Sequence, residues 1–264
     1  MTTIQAIILA IVEGLTEFLP ISSTAHMKFA NPIIGVSSSP FSDLFEIVIQ
    51  LFAILAVVVI YYKKFFDFTR ISFYLKLIIA LIPAVIFGFL LKKRIDSALE
   101  NLYFIAWVMI GGGVLFLFVD RWFNHPTIDS ERRVGNATAF RIGCFQVLSI
   151  LLPGFSRSGA TIIGGMSQGL TRKAAAEFSF FLAVPTMLAA SVKSLWDVHR
   201  DHPDVLSIDN ATLLGLSGIV TFVVALIVIR FFIGFLQKHG FKVWGYYRIV
   251  IGLLMLVLLW GGIL

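Results

Sequence analysis

PISSTAH at residues 20–26 and PGFSRSGAT at 153–161 interrupt a chain that is otherwise apolar, and their prolines lie 133 residues apart in a length of 264. Hydroxyls and charge therefore recur in duplicate inside hydrophobic surroundings. Glu13 and Glu17 precede the first proline, His26 closes the first stretch, and Arg157 sits between Ser156 and Ser158 in the second. An ionisable side chain in a membrane segment costs roughly 2.5–3.5 kcal/mol on the most lenient scale, so its default reading is functional.

The solvent follows from composition. With 58% hydrophobic and 14% charged residues and a mean hydropathy of +0.93, a soluble globule of this length is excluded. Runs long enough to cross about 30 Å of hydrocarbon as helix fall near 44–62, 75–91, 102–119, 174–195, 212–236 and 244–264. Two weaker segments, 3–20 and 138–152, end in the proline motifs. The stretches after them, 21–35 and 156–170, are too short and too rich in Gly, Ser and Thr to cross. The expectation is an all-α polytopic membrane protein with six transmembrane helices and two re-entrant helical hairpins, which membrane depth tolerates only when protein surrounds them. Residues 1–20 do not read as a signal peptide, because a basic start is missing and Glu13 and Glu17 occupy the apolar tail. Cys144 is alone, which excludes a disulfide framework and a cysteine metal site.

Charge distribution orients the chain. If both ends of the first hairpin lie on one side, six cations (Lys28, Lys92, Lys93, Arg94, Lys193 and Arg200) share that side. Fourteen, counting Lys76 just inside a span, gather on the other, in 63–74, 120–141, 171–173 and 230–248. The richer side is expected to be cytoplasmic, with both termini and the Asp-rich loop 197–209 outside. The cluster Lys92-Lys93-Arg94 is an exception. The net charge of +6 needs no nucleic acid to explain it.

The same alternation opens the two hairpins to opposite sides. Aligning the prolines pairs Glu13 with Gln146 and brings Ser22 and Ser23 near Ser156, while Glu46 roughly matches Glu177. This predicts a single membrane domain built as an inverted-topology repeat, about 1–119 and 138–264, with its site between the halves.

Glu13 and Glu17 are four apart on one helical face, too close for both to stay ionised without a cation or proton between them. Mg²⁺ or Ca²⁺ would suit two carboxylates. Ser22, Ser23 and Thr24 can cap a new helix after Pro20, whose free amides form an anion site. Ser156 and Ser158 do the same in the second hairpin, with Gly159 allowing close approach and Thr161 one turn on. Arg157 offers a planar fork to phosphate oxygens, and His26 is a residue type that can transfer a proton near neutral pH. Glu46 and Gln50, four apart, could line the same cavity, either as direct ligands or as support from behind, and Gln146 is a further candidate for support. The glycines 111–113 read as close-packing residues, and either acid could instead be structural glue for Arg157.

At these residues EGLTEFLPISSTAH (13–26) and LPGFSRSGAT (152–161) resemble the signature motifs of the undecaprenyl-pyrophosphate phosphatase, or bacitracin-resistance, family. FEIVIQL (45–51) and EFSFFLAVP (177–185) extend the resemblance across nearly the whole chain. It implies a bacterial inner-membrane enzyme that hydrolyses undecaprenyl pyrophosphate to the monophosphate carrier for peptidoglycan synthesis. It also implies Mg²⁺ or Ca²⁺ assistance and a site open to the periplasm. Carried onto this chain, the functional positions are Glu13, Glu17, Ser23, Thr24, His26, Ser156, Arg157 and Ser158. Ala25 stands where many relatives have Gly. Ser23 is the candidate nucleophile with Glu17 or His26 as its base, and attack by water remains open. The rival reading is a polyprenyl-phosphate transporter or flippase. The oligomeric state, including a homodimer, is left open by the sequence.

Overall fold

The computed structural model describes residues 1–205 and 207–263. Twelve α-helices run in chain order: α1 Thr3–Thr16, α2 Ser23–Ile33, α3 Pro40–Ile60, α4 Tyr62–Phe65, α5 Ile71–Leu90, α6 Lys92–Glu100, α7 Leu102–Trp122, α8 Asn136–Leu151, α9 Arg157–Ser167, α10 Arg172–Asp201, α11 Ile208–His239 and α12 Lys242–Trp260. Six of them, α3, α5, α7, α10, α11 and α12, are long and apolar enough to cross a membrane, with mean hydropathies between 1.5 and 2.8. The protein is a multi-pass, all-helical membrane protein. The expected span 244–264 and loop 197–209 include positions 264 and 206, which lie outside the described residues.

Helix boundaries have local causes. Thr2 and Gln5 form a reciprocal capping box at the start of α1. Ser39 caps α3, with Pro40 in its first turn and Asp43 beside the positive end of the helix dipole. Gly240, at φ 67°, ends α11 after Lys238 and His239. Three sequence expectations shift. The loop 197–209 is largely helix, because α10 continues to Asp201 and α11 starts at Ile208. The loop cluster Lys92-Lys93-Arg94 opens the helix α6. Arg248, counted among loop cations, lies in the second turn of α12.

The two short pairs, α1–α2 and α8–α9, form the centre. At about 1.5 Å per residue, the 14 residues of α1 and the 11 of α2 or α9 fall short of the hydrocarbon thickness, so protein must enclose them. α11 covers α1 where a side chain at Gly14 would strike Val224 and the Thr221 carbonyl, and the Thr221 hydroxyl donates to the Ala10 carbonyl at 3.0 Å. α5 covers α8 in the same manner, with Gly143 directly against the backbone of Ala80. Small residues let membrane helices approach this closely without a hydrophobic drive. α3 packs on α10, and α7 packs on α12. Outward faces stay apolar: Ile219, Ile227 and Phe231 of α11 are 60–65% exposed, as lipid contact requires. At the α4 end of the bundle, Lys64 bridges Glu131 and Glu177 at 3.2 and 3.5 Å.

Candidate active site

The tips of the two hairpins meet. Ser22 caps α2 and Ser156 caps α9, each accepting through its hydroxyl from the backbone N–H three residues on. Both have positive φ, 69° and 79°, without being glycine. Their ψ values of 94° and 120° lie outside the left-handed helical basin, and such backbone survives only where its surroundings fix it. The fixing is visible between the hairpins: Ser158 Oγ donates to the Leu19 carbonyl at 2.8 Å and lies 3.0 Å from Ser156 Oγ. A side chain on Gly159 would strike Phe116, so the second tip is seated against α7.

Glu17 is the hub. It follows α1 with helical backbone, its N–H bonded to the Glu13 carbonyl, and is 5% exposed. Its Oε2 accepts from Ser23 Oγ at 2.6 Å and its Oε1 from Arg157 Nη2 at 2.9 Å. One carboxylate therefore joins a hydroxyl of the first hairpin to a guanidinium of the second. Arg157 also donates to the Ser179 carbonyl at 3.1 Å, which leaves its buried Nε without a partner among the described residues. Buried ionic donors are costly when unpaired, and an anion arriving at Arg157 would meet one.

A cavity of about 350 Å³ opens over this pair, lined by Glu17, Ser22, Ser23, Thr24, Ser156 and Arg157 on its polar side. Gln50 joins that wall, and Ile95, Leu99, Ile150 and Met187 supply the apolar one. The structure thus gathers six of the sequence-predicted residues, with Gln50, on one surface.

Other expected residues stand back from it. Glu13 is fully buried, and neither carboxylate oxygen has a partner among the described residues. Thr161 is turned inward, with its hydroxyl 2.6 Å from that of Ser179. Glu46 accepts from Asn31 at 2.7 Å and faces Lys28 at 4.0 Å. The Gln146 side chain donates to the Thr186 hydroxyl at 3.4 Å. His26 is held at both ring nitrogens: Nδ1 lies 2.7 Å from the Ser22 carbonyl and Nε2 2.9 Å from the Tyr247 hydroxyl. Since a carbonyl only accepts, Nδ1 carries hydrogen there.

Tyr247, Ser179 and the α6 residues Ile95 and Leu99 escaped the sequence reading. Nothing in the sequence pairs Tyr247 with a histidine 221 positions away. A signal for α6 did exist: Ile95 and Leu99 are spaced four apart behind a basic run, the pattern of a helix lying in the membrane interface.

A fit for a divalent cation can be tested on the acids. Among the described residues no three His, Cys, Asp or Glu side chains gather as a ready metal cage. Mg²⁺, however, is commonly held by one or two carboxylates with substrate phosphates completing its shell. The two orphaned oxygens of Glu13 beside Glu17 fit that donor set.

Comparison with known proteins identifies the family. A protein named undecaprenyl-diphosphatase from Flavobacterium psychrophilum is 52% identical over 258 residues, covering 98% of this chain and 96% of its own. Its namesake from Flavobacterium johnsoniae is 50% identical over the same shares, and one from Porphyromonas gingivalis is 48% identical, covering 100% and 99%. The family described as bacitracin resistance protein BacA matches residues 6–254, from within α1 to within α12, and this chain belongs to it.

Proposed function

We infer that this chain is an undecaprenyl-diphosphatase, cleaving undecaprenyl pyrophosphate to undecaprenyl phosphate and inorganic phosphate. The observation that carries the reading is the Ser23–Glu17–Arg157 chain of bonds, 2.6 and 2.9 Å, beneath a cavity where two helix N-termini converge. Free amides at α2 and α9 and the planar fork of Arg157 suit the terminal phosphate. The apolar wall suits the first prenyl units.

In this reading Ser23 Oγ attacks the terminal phosphorus while its proton passes to Glu17. The bond from that phosphorus to the bridging oxygen breaks, and undecaprenyl phosphate leaves. Water then cleaves the Oγ–P bond, releasing inorganic phosphate and restoring the serine proton by way of Glu17. The bond at 2.6 Å favours Glu17 as base over His26, whose nitrogens are occupied. His26 steadies the first turn of α2 instead. Glu13 and Glu17 would hold Mg²⁺ or Ca²⁺, which when bound offsets charge on the phosphate oxygens.

The hairpins form an inverted repeat in this reading, supported by their matching caps and matching covers, α11 on α1 and α5 on α8. The basic residues near α4 support a cytoplasmic placement of that end. The cavity, at the α6 end of α5, then faces the periplasm.

Phosphate release from undecaprenyl pyrophosphate by purified protein in detergent tests the reading, with divalent cation titrated in. A roughly thousandfold loss of turnover in Glu17→Gln is expected. Lipid binding without bond cleavage by the wild-type protein would reject it in favour of a carrier.

A further inference from the structure

A fully buried cation lies outside the cavity. Arg248 is 0% exposed, and all the hydrogen bonds it donates go to backbone carbonyls. Nη1 reaches Phe155 O at 2.9 Å and Pro20 O at 3.3 Å, while Nη2 reaches Gly154 O at 2.8 Å and Val108 O at 3.3 Å. The guanidinium carbon lies 4.9 Å from the centre of the Phe116 ring and 5.8 Å from that of Phe155. Among the described residues no carboxylate pairs with it. A cation is costly to bury, and here four carbonyl dipoles and two aromatic faces replace water and counter-ion together.

The choice of carbonyls is informative. Pro20 belongs to the tip of the first hairpin, Gly154 and Phe155 to the tip of the second, and Val108 to α7. One rigid fork therefore spans both turns from behind the cavity and anchors them to a transmembrane helix. Phe155 immediately precedes Ser156, the cap held at φ 79°. Because a trans peptide directs its C=O and N–H oppositely, the Phe155 carbonyl turned to Arg248 turns the Ser156 N–H away from it. Room for the fork is provided by α7: a side chain on Gly112 would run into the Arg248 guanidinium, whereas Gly111 faces open space.

We propose that Arg248 is a positioning residue for phosphate cleavage: it sets the separation of the two hairpin tips, and thereby the distance between Ser23 and Glu17 on one and Arg157 on the other. It touches no substrate. The proposal rests on the active-site reading above. Lysine keeps the charge but presents a single ammonium on a flexible stem, so it cannot hold carbonyls of both tips in one plane.

The test measures kcat, KM and thermal unfolding for Arg248→Lys, Arg248→Gln, Gly112→Ala and Gly111→Ala, with Arg157→Lys alongside. A misplacement near 1 Å can cost on the order of a hundredfold. Arg248→Lys and Gly112→Ala should therefore lower kcat per folded molecule roughly ten- to a hundredfold with KM within about threefold, the pattern of an interaction felt in the transition state. Gly111→Ala should match wild type. Arg248 variants that unfold more readily but turn over normally per folded molecule would reduce Arg248 to a structural strut and overturn the proposal. If the Arg248 variants do not fold, Gly112→Ala decides alone, since it displaces the fork without removing it; normal kcat there overturns the proposal. Full activity in Arg157→Lys would sink the site assignment itself, and loss there with normal Arg248→Lys would sink only the positioning role.

Discussion

At the first hairpin tip Ser22 holds φ 69° and opens α2, of whose residues Ser23, Ala25, Met27 and Phe29 are buried; at the second, Ser156 holds φ 79° and opens α9, buried without a break from Ser158 to Met166. The backbone device is shared, and the side chains diverge. The residue after the cap is Ser23 in one and Arg157 in the other. With the prolines aligned, the acid at position 13 falls opposite Gln146, whose side chain bonds Thr186. In the proposed reading the two capped turns divide the work: one carries the hydroxyl and acids, and the other carries the cation and a rigid seat. Glu17 is where the copies are wired together.

Breaking that wire should have the largest effect. Glu17→Gln removes the proton acceptor of Ser23 and the charge partner of Arg157 together. Phosphate release should fall roughly a thousandfold, within the range that general-base catalysis supplies, and its response to added Mg²⁺ or Ca²⁺ should flatten. A variant with wild-type rate and metal response would show that the hairpins cooperate without Glu17. Next, Arg157→Lys preserves charge on the second hairpin but not the fork. A loss of about a hundredfold is expected, comparable to removing one oxyanion donor, and near-normal turnover would show that a point charge suffices.

Glu13→Gln makes the first hairpin resemble the second at that position. A smaller loss, roughly tenfold as for residues that tune a metal site, should come with a higher cation concentration for half-maximal rate. An unchanged cation titration would remove Glu13 from the cation site. The smallest effects concern the caps themselves. Ser22→Gly relieves positive φ while deleting the capping oxygen, so stability should change by only a few tenths of a kcal/mol. Ser22→Ala should cost about 0.5–2 kcal/mol, because the capping oxygen is lost while the strained backbone stays. Ser156→Gly should cost more than Ser22→Gly in thermal unfolding, since Ser156 also reaches Ser158 and Leu19. Equal shifts would show that the hairpins are held alike.

The spans and both hairpins were legible because they depend on hydrophobic length and on proline, serine and glycine punctuation, which act locally. The meeting of Glu17, Ser23 and Arg157 was legible because the motifs are compact. Register was less so. Pairing Pro20 with Pro153 misses the true correspondence of caps by one residue, since PGFS has one more residue than PIS before its serine. Arg248 was read as a loop cation because a span ending and a span beginning look alike in hydropathy. Its carbonyl partners, at 20, 108, 154 and 155, come from three separate segments. The role of His26 turned on Tyr247, whose proximity depends on how α12 packs. Thr161 faced inward because its helix is enclosed on all sides, a property of neighbours rather than of the motif.

The unbroken burial of α9 also bears on how the gene can drift. Enlarging Gly164 would collide with Phe145, Gly165 with Ala175 and Gly159 with Phe116, so single-nucleotide changes across this stretch are filtered by folding before any effect on cleavage is exposed. α2, with more open positions such as Lys28 and Asn31, can accumulate neutral changes near the reacting groups. Variants with altered lipid preference should therefore arise by selection at the first hairpin and along α6, while the second hairpin yields mainly protein that never reaches the membrane in folded form.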